Sequence, residues 1–199
     1  MRKTLAAALI ATLPLAARAE DRPAIFPTRD VAVTYRIGGQ GRQADMTILW
    51  SAAQRLMRMN MPGGMVYMVA DHEARRAFMV VQEMRMVMDM PMAQAAGLQR
   101  DFENARFTRG GREKIAGHDC TLWRYESSAT RGEACITADG VVLRAESTAP
   151  GAAAGRMEAM RVVYAPQDPA QFRRPQGYQT MQMPEGMPPG MPGMRGSPR

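Results

Sequence analysis

Between Asp30 and Pro166 apolar and polar residues alternate in short runs separated by turn residues, the pattern of an antiparallel β protein. Val31, Val33, Tyr35 and Ile37 share one face before Gly38-Gly39 ends the run. Met46 to Trp50 and Leu56 to Met61 follow, the second with Met57, Met59 and Met61 on one side. Pro62-Gly63-Gly64 is a strong turn, and Met65 to Val69 and Ala77 to Val81 form a hairpin across the polar Asp71-His72-Glu73 loop. Methionine then takes every second position, at Met84, Met86, Met88, Met90 and Met92, which places five thioethers on one face of an extended strand. Met84, Val87 and Met88 also fit one helical face, but the charges of Arg85 and Asp89 between the methionines favour a half-exposed strand that Pro91 closes. Ala93 to Asn104, interrupted by Gly97, is the candidate short helix. Strands return at Arg106 to Arg109, Cys120 to Glu126, Ala134 to Ala138, Val141 to Ser147 and Met157 to Tyr164, with Asp139-Gly140 as a tight hairpin signal.

The two ends differ from this middle. Arg2 and Lys3, the apolar run Leu5 to Ala17, and Ala17-Arg18-Ala19 have the layout of a secretory signal peptide over residues 1–19. The apolar run is shorter than the roughly 20 residues of a spanning helix, and no cysteine follows to carry a lipid. Residues 20–29 form a lead-in and residues 30–165 a single β domain. From Pro166 to Arg199 there are eight prolines, five glycines and five methionines, a composition expected to stay without fixed structure. The sequence therefore places the chain in the periplasm, exported and soluble.

Export reduces the formal charge from +7 to +4, since the leader holds three cations and no anion. The remaining cations, almost all arginine, are scattered without an aromatic partner pattern, which argues against nucleic acid and allows at most peripheral contact with the outer membrane. The only two cysteines, Cys120 and Cys135, flank a hairpin centred near Ser127-Ser128 and read as one structural disulfide rather than a redox pair. His72 and His118 lie in no nucleophile or metal motif, and no nucleotide or hydrolase signature is present. The reading is thus non-enzymatic and without a cofactor.

Three uses of the methionines compete. Met57, Met59 and Met61, with Met84, Met86, Met88 and Met90, would form an adaptable face for a lipid, an acyl chain or another hydrophobic small molecule. Met181, Met183, Met187, Met191 and Met194 are spaced to wrap Cu(I) or to consume oxidants. The third use is plain core filling in a structural or interaction module.

Gly110 to Arg144 carries a resemblance. Gly111, Ile115-Ala116-Gly117, Cys120 and Trp123, then Cys135, Thr137, Asp139-Gly140-Val141 and Leu143-Arg144, resemble a domain-of-unknown-function family of exported bacterial proteins. Its layout is similar to the outer-membrane lipoprotein carrier (LolA-like) superfamily. That resemblance implies a mainly β (α+β) fold: a curved antiparallel sheet, an incomplete barrel, with one or a few short helices over a hydrophobic cavity. The matching motifs are structural and carry no substrate.

Overall fold

The computed structural model describes residues 22–39, 42–91, 104–128, 130–148 and 155–182. They form one open curved sheet of twelve strands, in the spatial order β12-β6-β5-β4-β3-β2-β1-β11-β10-β9-β8-β7. The strands are β1 Val31–Gly39, β2 Arg42–Ser51, β3 Leu56–Asn60, β4 Val66–Asp71, β5 Arg76–Val81, β6 Met86–Pro91, β7 Arg106–Ile115, β8 His118–Glu126, β9 Arg131–Ile136, β10 Val142–Thr148, β11 Gly155–Val163 and β12 Gln179–Gln182. Two up-and-down meanders, β1 to β6 and β7 to β11, meet along the β1–β11 ladder. Every pairing is antiparallel except β12 with β6.

Eleven of these strands follow the alternation seen in the sequence. Three features differ. Met84 lies in the Gln82–Arg85 turn, 64% exposed, because Arg85 adopts the left-handed conformation (φ 47°) and the strand starts only at Met86. The β7 strand runs through Gly110-Gly111 to Ile115 instead of stopping at Arg109. Residues 166–182 are structured, contrary to the expectation from their composition: Pro169–Phe172 is a 3-10 turn and Gln179–Gln182 a strand. Met92, the candidate helix Ala93 to Asn104 in all but its last residue, residues 1–21 and residues 183–199 lie outside the described residues.

Turn chemistry explains the hairpins. Ala116 (φ 50°) and Gly117 (φ 82°) form the two-residue link between β7 and β8, the positive-φ pair that matches strand twist. Gly140 has φ 91°, and a Cβ there would collide with the Phe26 carbonyl oxygen, so both conformation and space demand glycine. Cys120 and Cys135 form the disulfide with Cα atoms 5.4 Å apart. The β8–β9 register sets Cys135 opposite Leu122, so the bond crosses the ladder diagonally. Both cysteines are buried in a cluster with Val31, Tyr35, Trp50, Leu143 and Ala159.

The β9–β10 hairpin is tied to both ends of the domain through Asp139. Its carboxylate accepts from Thr137 Oγ1 (2.5 Å), Arg29 Nε (2.7 Å) and Tyr164 Oη (3.2 Å), and Arg29 lies 3.6 Å over the Tyr164 ring. Burial pushes the Asp139 carboxyl upward, but the hydrogen bonds from Thr137, Arg29 and Tyr164 outweigh it and hold the group below the usual carboxylate range. Stability from this clamp is therefore present above the unfolded value of about 3.9 and lost as pH falls through the depressed folded value. Urea midpoints of the wild type and Asp139→Asn should differ at pH 7 and converge below about pH 4. A gap that persists unchanged at pH 3 would remove the carboxylate from this account.

Candidate functional site

Cross-strand partners point to the same side of a sheet, so the registers sort every side chain of the first meander onto one of two faces. One face is apolar in successive rows. The first row reads Val31, Trp50, Met57, Ala70, Ala77 and Met90 across β1 to β6. The second reads Val33, Ile48, Met59, Met68, Met79 and Met88, and continues onto β12 at Met181. The third holds Tyr35 and Met46, then Val66, Val81 and Met86. A fourth row extends into the other meander through Ala44, Ile37, Met157, Ala145, Ala134 and Trp123. Beside it Ile37, Ala44, Ala145 and Met157 line a groove of about 510 Å³.

The opposite face is filled from within the chain. Leu49, Tyr67, Val69, Val80 and Val87 are buried there under Phe172, which the 3-10 turn delivers at 4% exposure. Asp168 caps that turn by accepting from the Ala170 amide, and Arg58 Nη1 donates to the Gln171 carbonyl (2.7 Å) while lying 3.7 Å over the Tyr67 ring. Arg174 pairs with Asp89 and covers the Phe78 ring. Asp30 fastens the start of this strap, accepting from the amides of Ala52 and Gln167. Burial lowers the Arg58 pKa, in keeping with its position beneath the strap.

The two faces therefore differ in kind. Under the strap Val69, Val80 and Val87 are at most 2% exposed. On the other side Met57, Met59, Met68, Met79, Met86, Met88 and Met90 are all half-buried. One end of this face is closed by aromatics: Phe26 stacks on Trp50 (5.2 Å between centroids), with the His72 ring edge-on at 4.8 Å, and the Trp50 indole donates to the Pro27 carbonyl. Charged groups of the same strands, Arg58 and Asp89, stand on the strap side by register.

Met57, Met59, Met86, Met88 and Met90 come together on this face, whereas Met61 lies just past the end of β3, 37% exposed, and Met84 is away from it in its turn. Of the tail residues, Met181 sits in β12 beside Met88, while Met183, Met187, Met191 and Met194 lie outside the described residues. The alternation alone did not single out Met46, Met68, Met79 or Met157. Their signal was the spacing of the turns, which fixes Met59, Met68, Met79 and Met88 opposite one another. Among the described residues no three His, Cys, Asp or Glu side chains converge to hold a metal ion. No helix among them is long and apolar enough to cross a membrane.

The fold is thus one open curved sheet, antiparallel except at β12, with one face covered by the strap and the other lined by methionine. Residues 24–143 match the family model "Domain of unknown function (DUF4412)", more than half of the chain, and the chain belongs to that family. A solved structure of an uncharacterized conserved protein from Thermus thermophilus is similar at 14% identity and TM-score 0.56, over 78% of this chain and 91% of that one. MucB in the Pseudomonas aeruginosa MucA/MucB complex aligns at 14% identity and TM-score 0.47, over 81% of this chain and 62% of that one. A Vibrio parahaemolyticus domain described as an outer membrane lipoprotein-sorting protein aligns at 11% identity and TM-score 0.36, over 72% and 89%. No curated protein matches the chain.

Proposed function

We propose that this protein binds a lipid, an acyl chain or a similar hydrophobic molecule on the methionine face of its sheet, in the periplasm and without catalysing a reaction. The observation that supports the reading is the asymmetry of the two faces: one is sealed by the chain's own strap, the other keeps seven methionines half-buried in register. Unbranched thioether side chains re-pack around a flexible chain where valine or isoleucine would hold a fixed surface. Each CH₂ removed from water contributes about 0.8 kcal/mol, so ten methylenes supply about 8 kcal/mol, enough for micromolar binding if ordering costs are small. A disulfide in the core fits an oxidising compartment.

Native mass spectrometry of protein purified from the periplasm should show co-purified lipid, and a fluorescent fatty acid should bind saturably. Met68→Gln/Met79→Gln puts two amides at the centre of the face and should weaken that binding by about tenfold or more, with the melting transition retained. No lipid and no saturable probe binding would overturn the reading.

A further inference from the structure

We propose that the transverse row Met59, Met68, Met79, Met88 and Met181 is a binding site for a soft monovalent cation, Cu(I) or its analogue Ag(I). The five residues occupy five adjacent strands in direct register, β3, β4, β5, β6 and the parallel β12. Neighbouring strands are about 4.8 Å apart, so two methionines flanking a third lie about 10 Å apart at the backbone. Three flexible thioethers reach a common point across that distance, because each can lean toward the middle strand.

On β4 and β5 methionine on this face is confined to this row, whereas β3 and β6 also carry Met57, Met86 and Met90 in the flanking rows. On β4 and β5 the positions either side of it on the same face are Val66, Ala70, Ala77 and Val81. On β2 and β1 the row itself reads Ile48 and Val33. Methionine thus begins at β3 and persists to the last strand, which comes from a distant part of the chain. Ala70 and Ala77, the neighbours of the row on β4 and β5, are small and buried, and Met57 and Met90 pack against them. An apolar core would be satisfied by leucine at these positions; a continuous line of sulfur would not be needed.

The donor set selects the ion. Arg58, Asn60 and Asp89 fall on the strap side, so the row offers thioether sulfur with no carboxylate or imidazole beside it in register. Such a set suits Cu(I) and disfavours zinc, nickel and the hard cations. Met59, Met68, Met79 and Met88 are half-buried, whereas Met181 is 53% exposed at the edge of the sheet and is the end at which an ion enters. This site differs from the loosely spaced methionines of residues 183–199, and the inference stands independently of lipid binding.

The full mature chain should be titrated anaerobically with Cu(I) against a chromophoric Cu(I) chelator, and with Ag(I) by calorimetry. Met68→Leu/Met79→Leu conserves apolar volume and should weaken both ions by at least about tenfold while leaving the melting transition unchanged. Met65→Leu/Met84→Leu, at two exposed turn positions, and a chain ending at Gln182 should keep wild-type affinity. X-ray absorption of the Cu(I) form should show sulfur scatterers alone. Undiminished affinity in Met68→Leu/Met79→Leu, loss of binding in the chain ending at Gln182, or nitrogen and oxygen scatterers would each overturn the site. Cation binding without fatty-acid binding would sink the lipid reading and keep this one; the converse result would do the opposite.

Discussion

Replacing Phe172 by alanine is expected to destabilise the protein by about 3–5 kcal/mol, the range for truncating a buried phenylalanine. Phe172 is the one side chain of the 3-10 turn buried in the cluster with Leu49, Tyr67, Val69, Val80 and Val87, so its loss uncovers that cluster as well as leaving a cavity. Among the strap's other attachments, the Arg174–Asp89 pair and the Arg58 bond to the Gln171 carbonyl are exposed and worth little alone. Urea denaturation followed by tryptophan fluorescence measures the change, and Gln171→Ala, an exposed neighbour, should stay within about 0.5 kcal/mol. A cost below about 1 kcal/mol for Phe172→Ala would mean that the strap contributes nothing to the core.

The second large effect is expected at the disulfide. The bond closes a separation of 15 residues, and Cys120→Ala/Cys135→Ala should cost about 3 kcal/mol by releasing that constraint on the unfolded chain. Cys135 is fully buried beside Leu143, so the alanines also lose packing against the core shared by the two meanders. Dithiothreitol should lower the wild-type urea midpoint toward that of the double variant and leave the double variant itself unmoved. Equal midpoints for wild type and double variant would refute the contribution, and free thiols in periplasmic material would refute the bond.

Much of the fold was legible because most of the strands carry an apolar face, and alternation marks a strand wherever one side is buried. β12 was not legible. Gln179-Thr180-Met181-Gln182 has no alternation and follows a proline-rich stretch, and its place is set by pairing with β6, a strand from a distant part of the chain. Phe172 was hidden for the same reason: one aromatic in a polar run says nothing until the face it covers is known. Met84 misled because a period of two continues across a four-residue turn as readily as along a strand, and only the backbone of Arg85 separates them. The face itself was half legible. Met57, Met59, Met86, Met88 and Met90 followed from alternation, while Met68 and Met79 joined them through registers that the intervening turns define.

The β12–β6 pairing also bears on how the edges of an open sheet are protected. A sheet that does not close has two edges whose unpaired amides and carbonyls invite another chain. At one edge β7 carries Arg106, Arg109, Arg112 and Lys114 around a Gly-Gly pair, so a like strand approaching it meets its own charge. At the other, β6 reads Met-Val-Met-Asp-Met-Pro, apolar and nearly uncharged, but β12 lies outside it, so the edge strand is the short, polar Gln-Thr-Met-Gln. The first edge is guarded by repulsion and the second by a short polar strand. A chain cut back to Ala165, where the composition changes, would therefore lose Phe172 from the strap-side core and present a bare, sticky methionine strand to every other copy in solution.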